Sequence, residues 1–156
     1  MQERPSNPNI PRPDRMVTVL EVSPFETDHN ALQRIFSHSN WKLLTSRTCA
    51  EAAAALSKWL ISVVLCEKEL PDGTWRDVLE HASRAANPPS IIVSSRLADD
   101  RLWAEVLNLG GYNVLCKPFR ESEVFHDVGL AWLYWKNRAE RAGEAREKPR
   151  VLGGTA

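Results

Sequence analysis

The chain has 156 residues and balances twenty basic against twenty acidic side chains, so no overall field recruits nucleic acid or an anionic membrane. That length suits one ordinary core and is short for two. No stretch approaches the roughly 18 apolar residues of a membrane span, and the opening residues lack the apolar centre of a signal peptide, which leads us to expect a cytoplasmic protein. The three cysteines, Cys49, Cys66 and Cys116, lack metal-ligand spacing, and their odd number argues against a disulfide scaffold. They read as small buried apolar residues.

Residues 1–15, MQERPSNPNIPRPDR, hold four prolines and almost nothing apolar, and read as a disordered or surface-draped arm. MVTVLEV (16–22) is the first strand, and the turn SPFET leads to Asp28 as a helix N-cap, with Leu32, Ile35 and Phe36 marking one helical face. WKLLTSRT (41–48) is a second strand, after which Thr48 and Glu51 form a capping box for an alanine-rich helix over 49–59. ISVVLCE (61–67) is the third strand, closed by the turn Pro71-Asp72-Gly73, and Thr74 opens the helix TWRDVLEHASRAA that Asn87, Pro88 and Pro89 stop.

SIIVSS (90–95), the helix ADDRLWAEVLNLG with its terminal Gly110, YNVLCK (112–117) and a final helix from about Glu121 to about Arg146 complete five strand–helix pairs. Strict alternation of this kind predicts a parallel sheet with helices on both faces. The last helix carries Val124, Phe125, Val128, Trp132 and Trp135 along one stripe, widened by Leu133 and Tyr134. That is more apolar surface than one sheet face needs, and either the surplus serves a partner or a symmetric dimer or the tryptophans simply cover the edge of the core. The expected organisation is an arm (1–15), one domain (16–142) and a polar tail (143–156).

VLCEKELPDG (64–73), IIVSS (91–95) and VLCKPF (114–119) are β-branched runs that end abruptly in polar or turn residues. Buried parallel strands of this sort deliver side chains to the carboxyl edge of a sheet, where Glu67, Ser95 and Lys117 should meet. This acid, hydroxyl and lysine, together with the ELPDG loop and Lys117-Pro118-Phe119, resemble the active face of a response-regulator receiver domain of the CheY-like type. The resemblance covers about residues 16–142 and implies an α/β fold with a doubly wound five-stranded parallel sheet in the order 2-1-3-4-5. It implies two-component (phosphorelay) signalling, in which an aspartate four residues before Pro71 would accept a phosphoryl group. Ser95 and Lys117 would contact that group, and two adjacent acids after strand one would hold the Mg2+ that offsets its charge.

The chain departs from that pattern where the chemistry lies. Glu67 stands at the acceptor position, and the acidic pair falls on Ser23 and Pro24. Proline supplies no side-chain ligand and serine a weak neutral one, so Mg2+ binding should be weak or absent, and no other cofactor is expected. The extra methylene of Glu67 moves its carboxylate off the attack geometry. It also places negative charge near where a phosphoryl group would lie, making Glu67 either a built-in mimic or one half of an inert ion pair with Lys117. The alternative is a genuine phosphoacceptor that uses Asp72 or Glu69, with a metal site rebuilt from Glu21, Glu26, Asp28 and Glu69.

The reading that follows is a stand-alone, non-enzymatic receiver acting through protein contact with a signalling protein or histidine kinase, without nucleic acid or membrane. The expected partner or homodimer face is built from helix four, strand five and helix five, with Trp103, Leu107, Trp132 and Trp135 exposed on it. An aromatic rotamer switch is not expected, because Val114 holds the aligned position. His29, His38, His81 and His126 have no shared helical spacing and read as surface or cap residues. Gly110-Gly111 follows a helix and not a strand, so no dinucleotide fingerprint is formed, and a flavodoxin-like enzyme lacks its phosphate loop.

Overall fold

The third strand of the sheet sits at its centre because it is apolar on both faces. In a computed structural model describing residues 17–147, with side chains through 143, β3 (Val63–Glu67) is buried along its length until Glu67. It lies between β1 (Thr18–Val22) and β6 (Ser90–Ser95), with β2 (Lys42–Ser46) and β7 (Asn113–Cys116) at the two edges. All pairings in this sheet are parallel. A two-stranded antiparallel ribbon, β4 (Glu69–Leu70) with β5 (Gly73–Thr74), stands apart from it. With the ribbon set aside, the strand order is the expected 2-1-3-4-5, and β7 is the fifth strand. The arm 1–15 and residues 148–156 of the tail lie outside the described residues.

Alternation along each strand divides the core in two. Leu20, Val22, Val64, Cys66, Ile91 and Val93 face α2 (Cys49–Lys58), α3 (Trp75–Ser83) and α4 (Asp100–Asn108), where Ala52, Trp75, Val78, Leu102 and Val106 cover them. Val19, Val63, Leu65, Ile92 and Leu115 face α1 (Glu26–Phe36) and α5 (Glu121–Glu147), against Leu32, Phe36, Val124 and Val128. Buried strands flanked by helices on both faces are the reason the carboxyl edge stays open for a site.

Local chemistry starts the helices, with differences from the sequence expectation. Asp28 is not the cap of α1; Phe25 is, and it offers no side-chain cap bond. The Asp28 carboxylate is drawn inward to other partners. At α2 the Thr48 hydroxyl accepts from the Glu51 N–H at 3.1 Å, whereas the Glu51 carboxylate reaches one residue further, to the Arg47 N–H at 2.7 Å. Thr74 and Asp77 form a full capping box at α3, which ends at Ser83, earlier than expected. Gly73 is required by close approach, since a Cβ there would lie 2.4 Å from Asp77 Oδ2 and 2.9 Å from Cys49 Sγ. Gly110 closes α4 with φ of 102°, the left-handed conformation that favours glycine.

Of the expected partner-face residues, Trp135 lies in the core and Trp132 is half-buried against it. Trp135 is buried, and its Nε1–H donates to the Asn87 carbonyl at 3.2 Å. Trp132 packs onto the cluster under α1 and α5. Trp135 lies near the start of β6, where the Ser90 hydroxyl also donates to the Ala131 carbonyl at 3.0 Å, while Phe125 packs against Phe36 and Trp41. The exposed large apolar residues of α5 are Leu130, Leu133 and Tyr134, and Trp103 and Leu107 of α4 are exposed as expected. Cys49 and Cys66 are buried, but Cys116, at the end of an edge strand, is exposed.

Trp75 is the largest fully buried side chain, and Trp75→Ala should cost about 3–5 kcal/mol through lost transfer energy and the cavity left behind. A fall in the urea midpoint equal to that loss divided by an unchanged m-value would be the expected outcome.

Candidate functional site

The carboxyl edge of the sheet gathers Glu67 from the end of β3, Ser95 from the end of β6 and Lys117 just past β7. The side chain of Lys117 is almost wholly enclosed, at 3% exposure, and its ammonium ion-pairs with Glu67 Oε1. The same ammonium donates to Asp28 Oδ2 at 2.7 Å. That oxygen also accepts from the Ser23 hydroxyl at 2.7 Å, while Ser23 Oγ accepts from the Phe25 N–H at 3.1 Å. The Phe25 ring lies over the ammonium, 4.9 Å from its centroid, a cation–π placement. One ammonium thus joins α1, β3 and the loop after β7.

Glu67 and Lys117 meet as the sequence led us to expect, but Ser95 takes a different part. Its hydroxyl accepts from the Leu97 N–H at 3.1 Å, and its carbonyl accepts from the Lys117 N–H at 3.0 Å. Ser95 therefore shapes the loop and holds the Lys117 backbone. Ser23 is buried in the site, and Pro24 lies beside it, with its carbonyl accepting from Arg47. The Lys117–Pro118 peptide is cis.

Of the acids proposed for a rebuilt cluster, Asp28 alone joins Glu67 on the ammonium. Glu26 is turned out to Arg47, and Glu69 is exposed in the ribbon. Asp72 accepts from the N–H groups of Cys49 and Ala50 at 2.7 and 3.1 Å. These two N–H groups, the Cys49 one above all, hold its carboxyl below the usual range. It serves as a cap on α2, delivered by a neighbouring loop. Among the described residues no group of three or more His, Cys, Asp or Glu is placed to hold a metal ion. The donor set does not fit the Mg2+ that the resemblance implied: Ser23 and Pro24 bring no carboxylate, and Asp28 and Glu67 already face an ammonium.

Behind the site lies a second buried pair. Glu21, 2% exposed, approaches His29 Nδ1 with Oε1 at 2.9 Å, and His29 Nε2 lies 2.8 Å from the Ser23 carbonyl. A carbonyl only accepts, so Nε2 carries a proton. The Glu21–His29 contact is close but poorly aligned for a hydrogen bond, and neither Glu21 oxygen makes one. Sequence spacing had suggested a surface or cap role for His29; a single turn of α1 instead folds it under Ser23, next to β1. The pattern in the sequence was the acid Glu21 within an otherwise apolar strand, which demands a buried partner.

Burial sets the proton affinities. Desolvation, reinforced by the Asp28 charge and opposed by Lys117 and Arg47, pushes the Glu21 carboxyl up to about 8. Glu67 is also raised, chiefly by desolvation, with the Lys117 contact pulling the other way. Because folding raises the Glu21 pKa from its ordinary value of 4.5 to about 8, the folded state retains a proton the unfolded chain releases. Stability tied to Glu21 is full below the lower value and is lost as pH rises to the higher one. Compared with Glu21→Gln, the natural protein should lose at most about 1.4 kcal/mol per pH unit across that window. Urea unfolding of both proteins at a series of pH values checks the slope.

No protein-family model matches the chain. The hydrogenase transcriptional regulatory protein HoxA of Cupriavidus necator is 27% identical over 119 residues, which are 76% of this chain and 24% of that protein. The chain thus spans about a quarter of the length of this curated relative. A structure described as adenylate cyclase from Rhodopirellula baltica superposes with a TM-score of 0.76 at 18% identity, covering 85% of this chain and 98% of that one. A CheY-like response regulator receiver domain protein from Methanospirillum hungatei superposes with a TM-score of 0.71 at 16% identity, covering 79% and 98%. The sheet order and the flanking helices agree with these superpositions, and the chain has the CheY-like fold of the response-regulator receiver domains.

Proposed function

We propose that this chain is a receiver domain of two-component signalling that works without phosphorylation, as a protein-binding module held in one state by its own charges. The observation that carries this reading is the Lys117 ammonium, which is engaged by Glu67 and Asp28 together. In phosphoryl transfer a cation must be available to stabilise the incoming negative charge. Here the lysine is already neutralised, and a phosphoryl dianion would meet two carboxylates. Glu67 acts as the built-in counterpart of the modified acceptor, fixing the relative positions of β3 and the loop after β7.

Contact with a signalling protein or a second copy is assigned to the face of α4, β7 and α5. Trp103 and Leu107 are exposed there, with Tyr134 of α5 stacked beside Tyr112 at a centroid distance of 5.4 Å. No helix among the described residues is long and apolar enough to cross a membrane, and a cytoplasmic setting accords with signalling of this class. The balanced charge of the chain supports a protein partner over nucleic acid. No catalytic role or cofactor is assigned.

Intact mass after incubation with acetyl phosphate and Mg2+ tests the reading directly. The natural protein should remain unmodified, whereas the triple variant Ser23→Asp, Pro24→Asp, Glu67→Asp should gain one phosphoryl group. Modification of the natural protein would overturn the proposal. Separately, Lys117→Ala should cost about 3–5 kcal/mol, because it leaves buried carboxylates without their counter-ion. A chemical denaturation midpoint equal to that of the natural protein would contradict that assignment of charge.

A further inference from the structure

We infer that the outer edge of β2, with the corner formed by Trp59 and Leu60, is a docking site for an extended acidic segment of a protein partner, which adds to the sheet as a further strand. β2 and β7 stand at opposite edges of the sheet. The site is therefore separate from the Lys117 pocket and from the face of α4, β7 and α5, and it goes beyond the function proposed above.

The backbone of β2 is open on one side. β2 ends the strand order, with β1 as its neighbour. The Lys42 N–H donates to the Val17 carbonyl at 2.9 Å, and the Ser46 carbonyl accepts from the Ser23 N–H at 3.0 Å, so alternate residues of β2 bond to β1. Leu43 and Thr45 therefore turn their N–H and C=O groups the other way, the template that strand addition uses.

The corner at the start of that edge is apolar and cationic at once. Trp59 ends α2 in extended backbone and is 43% exposed, with Leu60 at 67%. Lys42 Nζ lies 4.7 Å and Lys58 Nζ 5.3 Å from the Trp59 ring centroid, so two like charges share one ring. Among the described residues neither lysine is paired with a carboxylate. From Arg34 to Ser62 the chain has four basic side chains and one acid, Glu51, which is committed to the Arg47 N–H at the other end of α2. An ammonium resting on a ring keeps donors for a carboxylate, so the corner is complementary to acidic side chains.

The same cations favour a protein over a bilayer. An indole that carries two ammonium ions cannot enter hydrocarbon without burying charge. A strand, by contrast, supplies backbone partners for Leu43 and Thr45 and carboxylates for the lysines. With its two contact faces at opposite sheet edges, the chain can hold two proteins at once.

The test is a blocked peptide of alternating glutamate and valine, titrated into the full chain and followed by heteronuclear NMR and amide exchange. Shift changes should centre on Leu43, Thr45 and the Trp59 indole, with slowed exchange of the Leu43 and Thr45 N–H groups. Lys42→Glu combined with Lys58→Glu should weaken binding about tenfold or more, at an unchanged urea midpoint because both side chains are exposed. The same peptide with lysine for glutamate should not bind. The inference is overturned by the absence of saturable shifts, by shifts confined to the face of α4, β7 and α5, by unslowed Leu43 and Thr45 amides, or by equal binding to the charge-reversed variant. Co-sedimentation of the natural protein with phosphatidylserine vesicles, lost in that variant, would assign the corner to a membrane and overturn it as well. Phosphorylation of the natural protein by acetyl phosphate would overturn the proposed function and leave this inference standing.

Discussion

The contact on which the site depends is one ammonium shared by two carboxylates. Burying an ion costs several kcal/mol unless partners replace its water, and Lys117 is enclosed on every side by groups that do so. The cost of desolvation explains why the cluster is so complete. Glu67 supplies an ion-pair contact whose Oε1 forms no hydrogen bond, so Asp28 supplies the hydrogen-bond acceptor and Phe25 a ring over the ammonium. Each comes from the loop or first turn after β1, so the position of α1 is linked to the charge at the end of β3.

That linkage accounts for features which look unrelated in isolation. The N-terminus of α1 has no side-chain cap, because the residue best suited to the task faces inward. Ser23 bridges the two needs: its hydroxyl donates to Asp28 and accepts from Phe25 N–H, while its carbonyl receives His29. The buried Glu21–His29 pair then forms a second polar layer beneath the first. Two adjacent ionisable layers at the edge of an otherwise apolar sheet make α1 the helix most dependent on charge, whereas α2 to α4 rest on aliphatic and aromatic burial.

The ELPDG loop shows how a family-like motif can be retained for structural reasons. Asp72 caps α2 through two backbone N–H groups, Gly73 admits the close approach of Asp77 and Cys49, and Thr74 starts α3. None of these roles requires phosphate chemistry. Each is a structural role, in keeping with a fold whose scaffold and chemistry are separable.

By itself the sequence determined the alternation of strands and helices, the parallel sheet and its buried centre, because period-two and helical patterns are local properties. It also brought Glu67 and Lys117 together, since both end buried strands at the same edge. Only the tertiary structure decided where Asp28, His29, Trp132 and Trp135 belong. Helical spacing reports which side of a helix a residue occupies and not what lies opposite. Asp28 had the chemistry of a cap, His29 that of a surface residue, and the tryptophans fitted either a partner face or a cover for the core edge. Packing against β1, Lys117 and the start of β6 assigned Asp28, His29 and Trp135 to the interior and Trp132 to its margin, where the need to pair buried polar groups outweighs local preference.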